Sequence, residues 1–126
     1  MPGEAIPDDV RRLLVGAIPA VPHLEALLLL RAEPARTWAP AELARRLYVA
    51  PEAAAKILSE LAANNLVSAR GDDGYGFAAG ESERATIDRL AAIYSRHVTE
   101  VARILHSKTE KHAQQFADAF LFRKDK

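Results

Sequence analysis

The chain of 126 residues contains no cysteine, only 6% aromatic residues and no excess of charge of either sign. Without cysteine it has no disulfide framework and no thiolate metal site, which fits a reducing compartment. Residues 1–12 lack the basic stretch and apolar run of a secretory signal, and the apolar run at residues 24–30 is too short to cross a bilayer. We therefore expect a cytoplasmic protein with no membrane partner.

Charge is balanced along the chain as well as in total. The formal net charges of residues 1–36, 37–80 and 81–126 are −1, −1 and +2. No third is a basic patch, so a nucleic-acid-binding face would have to come from the way the fold arranges a few arginines. Hydrophobic residues make up 49% and charged residues 27% of the chain, a profile typical of one folded helical domain.

Two short helices are predicted at residues 9–17 and 21–32. Pro19 follows the first helix and Pro34 follows the second, where each would stop the helical pattern. Leucines of the second helix cover more than one face, so we expect this helix to lie centrally in the core.

The stretch ELARRLYVAPEAAAKILSELAANNLV, Glu42 to Val67, has the spacing of two short helices joined by a tight turn. Helices are predicted at residues 40–47 and 51–63, and each opens with a proline, Pro40 or Pro51, which suits the first helical position. An acidic residue follows each proline, near the positive end of the helix dipole. The apolar positions expected to face each other are Leu43, Ala44, Leu47, Val49, Ala54, Ile57, Leu58 and Leu61.

A strand pair is predicted directly after the second of these helices. Residues 66–70 and 75–78 flank the turn sequence GDDG. Asn64 or Asn65 can end the preceding helix in the left-handed conformation. Trp38, just before the first helix of the pair, is expected to add a short third strand and to pack beneath the hairpin.

A long amphipathic helix is predicted from Glu81 to about Lys108, because apolar residues recur there at heptad spacing. The apolar pattern returns in the C-terminal tail, which we expect to bury against the body or a second copy. The predicted packing or dimer seam consists of Ile87, Leu90, Tyr94, Val98, Val101, Ile104, Leu105, Phe116 and Phe120. His97 falls on the same seam, and we interpret it as a hydrogen-bonded packing residue rather than a ligand.

Motifs for catalysis and metal binding are not found in the sequence. No nucleophile has an evident base, and no Gly-rich phosphate loop is present. The histidines do not share a helix face at metal-ligand spacing, and GDDGYG lacks the alternating ligands of a calcium loop. We therefore expect a protein that is not an enzyme and needs no metal or other cofactor.

The order helix, helix, helix-turn-helix, strand pair, long helix resembles the winged helix-turn-helix transcriptional regulators of bacteria, including the MarR-like group. The resemblance rests on residues 42–67 together with GDDGYGF, about a third of the chain. It implies a mainly α fold with a small β-wing, as a single winged-helix domain over residues 1–126. The N-terminal helices would occupy 9–32, the helix-turn-helix and wing 37–80, and the long C-terminal helix and tail 81–126.

The resemblance also implies a homodimer built from terminal helices, with the second helix of the motif in the major groove of double-stranded DNA. The groove-facing positions would be Glu52, Ala53, Lys56, Ser59 and Glu60. Of these, Lys56 and Ser59 suit contact with bases. The expected phosphate contacts are Arg36, Arg45, Arg46 and Arg70.

Two interpretations of the arginines and of the function stay open at this point. Arg45 and Arg46 could hold phosphates, or they could be solvated helix residues paired with Glu42 or Glu52. The order of elements favours a DNA-binding transcriptional regulator. The neutral charge favours a winged helix that contacts a protein, for example a component of the transcription machinery, since winged helices serve both purposes. The sequence identifies no operator and no effector.

Overall fold

The computed structural model describes residues 6–108, a mainly helical fold with one small antiparallel sheet. The elements are α1 (Asp8–Ala17), α2 (Val21–Ala32), α3 (Pro40–Leu47), α4 (Pro51–Ala63), β1 (Val67–Arg70), β2 (Gly74–Phe77) and α5 (Glu81–Arg96). Residues 98–108 are also helical and are called α6 here. The bounds predicted for the first four helices agree with the structure to within one residue.

Local signals at the ends of α3 and α4 explain these bounds. Both helices begin with a proline, and the Glu42 carboxylate accepts a hydrogen bond from the Ala39 N–H at 2.9 Å. That bond satisfies a donor just before the helix. Tyr48, directly after α3, has φ +58°, and Asn65, two residues after the end of α4, has φ +63°. The expectation that an asparagine in the left-handed conformation follows α4 is confirmed.

One hydrophobic core joins the helices, and α2 lies centrally in it, as predicted. α2 buries Leu24, Ala26, Leu27 and Leu30. The facing sides predicted for α3 and α4 are confirmed: the buried residues are Leu43, Ala44, Ala54, Ile57, Leu58 and Leu61, with Leu47 and Val49 partly buried. Each such leucine contributes about 2 kcal/mol to folding through its removal from water.

The wing is held to the start of α3 by a third extended segment. β1 and β2 pair antiparallel, with Val67 opposite Phe77. The Trp38 N–H donates to the Tyr75 carbonyl at 2.8 Å, and the Tyr75 N–H donates to the Trp38 carbonyl at 2.9 Å. The Trp38 ring is fully buried. The expected third strand is therefore confirmed as a single bridge, with Trp38 packed as predicted.

α1 and α2 meet at a bend of 112°. The Asn64 amide at the end of α4 donates to the Ala17 carbonyl at 2.9 Å, which ties α4 to the end of α1. Within residues 6–108 no single helix is long and apolar enough to cross a membrane, and α1 and α2 reach that length and composition only as this bent pair.

The prediction of one uninterrupted helix from Glu81 to about Lys108 is wrong at His97. Its backbone leaves the helical region, at φ −130° and ψ 47°. The His97 N–H still reaches the Ile93 carbonyl at 2.7 Å, and the Val101 N–H reaches the His97 carbonyl at 3.1 Å. At the far end of α6 the Lys108 ammonium donates to three backbone carbonyls at the C-terminal end of α1. The break at His97 thus separates α5 from α6, whose far end is docked on α1.

The break also changes the predicted seam. Ile87, Leu90, Val101 and Leu105 are buried, and Tyr94 and Ile104 are partly buried. Val98 is 50% exposed, so it is not packed within the described chain, and its place in a dimer seam stays a prediction. His97 is partly exposed, with Nδ1 3.4 Å from the Glu100 carboxylate, rather than packed in the seam. Phe116 and Phe120 lie outside the described residues.

Candidate nucleic-acid interface

The outer face of α4 carries most of the positions expected to face a DNA groove. Glu52, Ala53, Lys56 and Ser59 are all exposed. The opposite side of the helix packs into the core, which fixes the direction in which this outer face points. α4 thus presents one lysine, one hydroxyl and one carboxylate side by side on a rigid element.

Glu60 differs from the other groove-facing positions, because its side chain turns back toward α2. Nε2 of His23 lies 2.8 Å from Oε1 of Glu60. His23 is buried and the Glu60 side chain is 41% exposed. No sequence pattern predicts this pair, since the two residues are 37 positions apart and the packing of α2 on α4 brings them together.

Arg45 and Arg46 are exposed on the last turn of α3. Neither makes an ion pair within 4 Å with a carboxylate of residues 6–108. Glu42, one expected partner, instead accepts from the Ala39 N–H and lies 3.4 Å from Arg36. The Ala39 hydrogen bond, helped by Arg36, holds the pKa of Glu42 below its ordinary value. Cζ of Arg46 lies 5.5 Å from the centroid of the Trp38 ring, and the charge of Arg45 also helps to lower the pKa of Glu42. Both arginines nevertheless remain exposed, where an external anion can reach them.

Arg36 is bound within the fold. Its Cζ lies 3.7 Å from the centroid of the Trp38 ring, and its guanidinium pairs with Glu33 at 3.2 Å and Glu42 at 3.4 Å. A cation stacked on an aromatic face is held by the ring quadrupole as well as by the carboxylates. Arg36 thus connects the segment before α3 to the first turn of α3.

Arg70 is also engaged by the protein. Its guanidinium donates to the Phe77 carbonyl at 2.9 Å and to the Arg36 carbonyl at 3.3 Å. The side chain lies over Gly76, where an added Cβ would collide with it. Arg70 therefore fastens the wing to the segment before α3, while the wing tip presents two exposed aspartates.

An open cavity of about 530 Å³ lies beside the turn between α3 and α4. It is lined by Glu25, Leu28, Leu29, Arg46, Leu47, Tyr48 and Tyr94. Tyr48 is 94% exposed, and the Tyr94 hydroxyl donates to the Glu25 carboxylate at 3.4 Å. Burial and the Glu25 charge raise the pKa of Tyr94. Sequence reasoning placed Tyr48 in the turn but gave no sign that its ring would stand in solvent next to Arg46.

The exposed side chains of this region suit contact with a surface. In the part of the chain that the structure describes, no three histidine, aspartate or glutamate side chains come close enough to hold a metal. Exposed basic and hydroxyl side chains on a helix-turn-helix can contact phosphates and base edges.

Comparison with known proteins identifies the fold. No protein-family model matches the chain, and no curated protein matches its sequence. Among solved structures, the MarR family protein Rv2887 of Mycobacterium tuberculosis is similar, with a TM-score of 0.51 and 23% sequence identity. The match covers 89% of this chain and 86% of that chain. The chain therefore has a MarR-like winged helix-turn-helix fold.

Proposed function

We propose that this protein is a DNA-binding transcriptional regulator that places α4 in the major groove of double-stranded DNA. The observation that carries the proposal is the exposed face of α4, with Lys56 and Ser59, beside two exposed arginines of α3 that have no ionic partner within residues 6–108. In a helix-turn-helix the second helix enters the groove and the first crosses the backbone. The MarR-like fold supports this assignment in general terms.

Each basic residue has a distinct role in this proposal. Lys56 and Ser59 face the base edges, where a lysine can donate to guanine and a serine can bond to several bases. Arg45 and Arg46 hold phosphates and set the register of the protein on the duplex. We assign Arg36 and Arg70 to positioning rather than phosphate contact, because both guanidinium groups already bind Glu33, Glu42 or backbone carbonyls.

We propose a homodimer joined through α5 and α6, the described elements that carry the predicted seam. Val98 on α6 is half exposed, which leaves an apolar side chain available on that surface. Two copies of α4 related by a two-fold axis would read half-sites about one DNA turn, or roughly 34 Å, apart. Sedimentation equilibrium tests this: a monomer throughout the micromolar range would refute the dimer.

Fluorescence anisotropy of labelled genomic duplexes, titrated with the protein at rising salt, tests DNA binding. Arg45 and Arg46 are the two phosphate contacts proposed for each protomer. Each phosphate contact contributes about 0.9 to the slope of log affinity against log salt, so a slope near −1.8 per protomer is expected. Absence of binding even at low salt would refute the proposal.

A second candidate function is contact with a protein partner. It is favoured by Tyr48, which stands almost fully exposed at the rim of a cavity lined by Leu28, Leu29 and Leu47. Exposed aromatic side chains are enriched in protein interfaces. A partner complex that persists at high salt, together with no DNA binding at low salt, would favour this function over the first.

A further inference from the structure

His23 and Glu60 form a polar pair at the junction of α2 and α4. His23 is the third residue of α2 and is 9% exposed. Its Nε2 bonds to Glu60 at 2.8 Å, while its Nδ1 is buried with no hydrogen-bond partner in the described chain. Most buried polar atoms have a hydrogen-bond partner, so a buried imidazole with one unpartnered nitrogen is unusual.

The direction of the hydrogen bond follows from the two groups. An ionised carboxylate only accepts hydrogen bonds, so Nε2 carries the proton that bonds to Glu60. His23 therefore donates one charge-assisted hydrogen bond to the Glu60 carboxylate.

The position of Glu60 on α4 makes this bond relevant to the outer face. Glu60 is four residues after Lys56 and next to Ser59, so without a partner its carboxylate could extend over the same side of the helix as Lys56. A carboxylate there would repel the DNA phosphates. The bond to His23 directs it toward α2 instead.

We propose that His23 is a positioning residue for the DNA-reading face of α4. By holding the Glu60 carboxylate against α2, it leaves Lys56 and Ser59 as the groups presented to the groove. This inference rests on the proposed function of α4, and it gives a buried residue an indirect role in DNA binding.

The test compares His23→Leu with the wild type by anisotropy at low salt. Leucine fills the buried space and removes the donor, so Glu60 is released and DNA affinity falls about fivefold, the effect expected of one exposed charge. His23→Gln is the matched control, since its amide N–H reaches about as far as Nε2, and it keeps an affinity near that of the wild type. Adding Glu60→Gln to His23→Leu removes the released charge and restores the affinity.

The outcomes separate the two proposals. If the wild type binds no DNA, the proposed function fails and this inference fails with it. If the wild type binds and His23→Leu binds equally well, only the positioning role is overturned. A weakened His23→Leu that Glu60→Gln does not restore also overturns it, because a loss from disturbed packing does not depend on the Glu60 charge. Should His23→Leu fail to fold in thermal melts, His23→Asn removes the same donor with a shorter polar side chain.

Discussion

Replacing Arg45 and Arg46 together with alanine should weaken binding to all DNA sequences by a similar factor. Both side chains are exposed, and neither has an ionic partner in residues 6–108, so the change breaks no ion pair there. Two lost phosphate contacts should reduce the salt slope by about 1.8 per protomer. Over a fourfold rise in salt, from about 50 to about 200 mM, the wild type should therefore lose roughly twelvefold more affinity per bound protomer than the variant.

The assay is a salt titration of labelled duplexes with each protein, and the chain offers a matched control. Arg11 and Arg12 are also adjacent, exposed and helical, but they lie on α1. Their replacement with alanine changes the net charge by the same amount and should leave the salt slope unaltered. An equal change in salt slope for both variants would mean that the overall charge of the protein, and not phosphate contact by Arg45 and Arg46, causes the effect. An unaltered slope for the α3 variant would refute phosphate contact by Arg45 and Arg46.

Three further predictions concern stability. Lys108→Met should lower the free energy of unfolding in urea by about 2 kcal/mol, since the ammonium bonds three carbonyls at the end of α1; an unchanged midpoint would contradict this. The hydrogen bond from Arg89 lowers the pKa of Asp9 below its ordinary value of 3.8. The ionised Asp9 carboxylate therefore stabilises the fold fully above pH 3.8, and this stabilisation is lost as the pH falls through the lower pKa of the folded state. In thermal melts at acid pH, Asp9→Asn should lack this pH-dependent part of the stability. Asn65→Ala should cost about 1 kcal/mol in thermal unfolding and Asn65→Gly should not, because φ is +63° there.

The helices and the wing could be predicted from the sequence because their signals are local. The prolines that open α3 and α4, the asparagine that follows α4 and the Gly-Asp turn of the wing each act within a few residues of their own position. The apolar spacing then showed which sides of α3 and α4 face each other. Residues close in sequence are sufficient for all of these features.

The break at His97 had no such local signal. No proline or glycine stands near it, and the heptad pattern runs through it unchanged. Periodicity reports which residues share a face of a straight helix, but it does not report the direction of the axis. The structure instead places the far end of α6 on α1 through Lys108, whose partners Leu14 and Val15 lie more than 90 residues earlier in the chain.

The partners of Arg36, Arg70 and Glu60 within the fold could not be predicted for a related reason. Arg70 binds backbone carbonyls, which every residue carries, so no sequence pattern marks them as its partners. Arg36 stacks on Trp38, and His23 reaches Glu60 across the packing of two helices. Formal charge was visible in the sequence, whereas the partner of each charge depended on the fold.

The partners that the fold gives to each charge bear on the neutral net charge, which by itself favours a protein-binding role. The two helices of the motif carry three basic residues, Arg45, Arg46 and Lys56, and three acidic ones, Glu42, Glu52 and Glu60. The acidic and basic side chains differ in their partners within the fold. Glu42 is bound by the Ala39 N–H and Arg36, and Glu60 is drawn back by His23, whereas the three basic side chains are exposed and make no ion pair within the described chain. The formal count of charges therefore does not describe how the two signs are placed on this face, where Glu52 alone of the three acidic residues is exposed beside Lys56. Net charge alone is thus a weak argument against DNA binding by this protein.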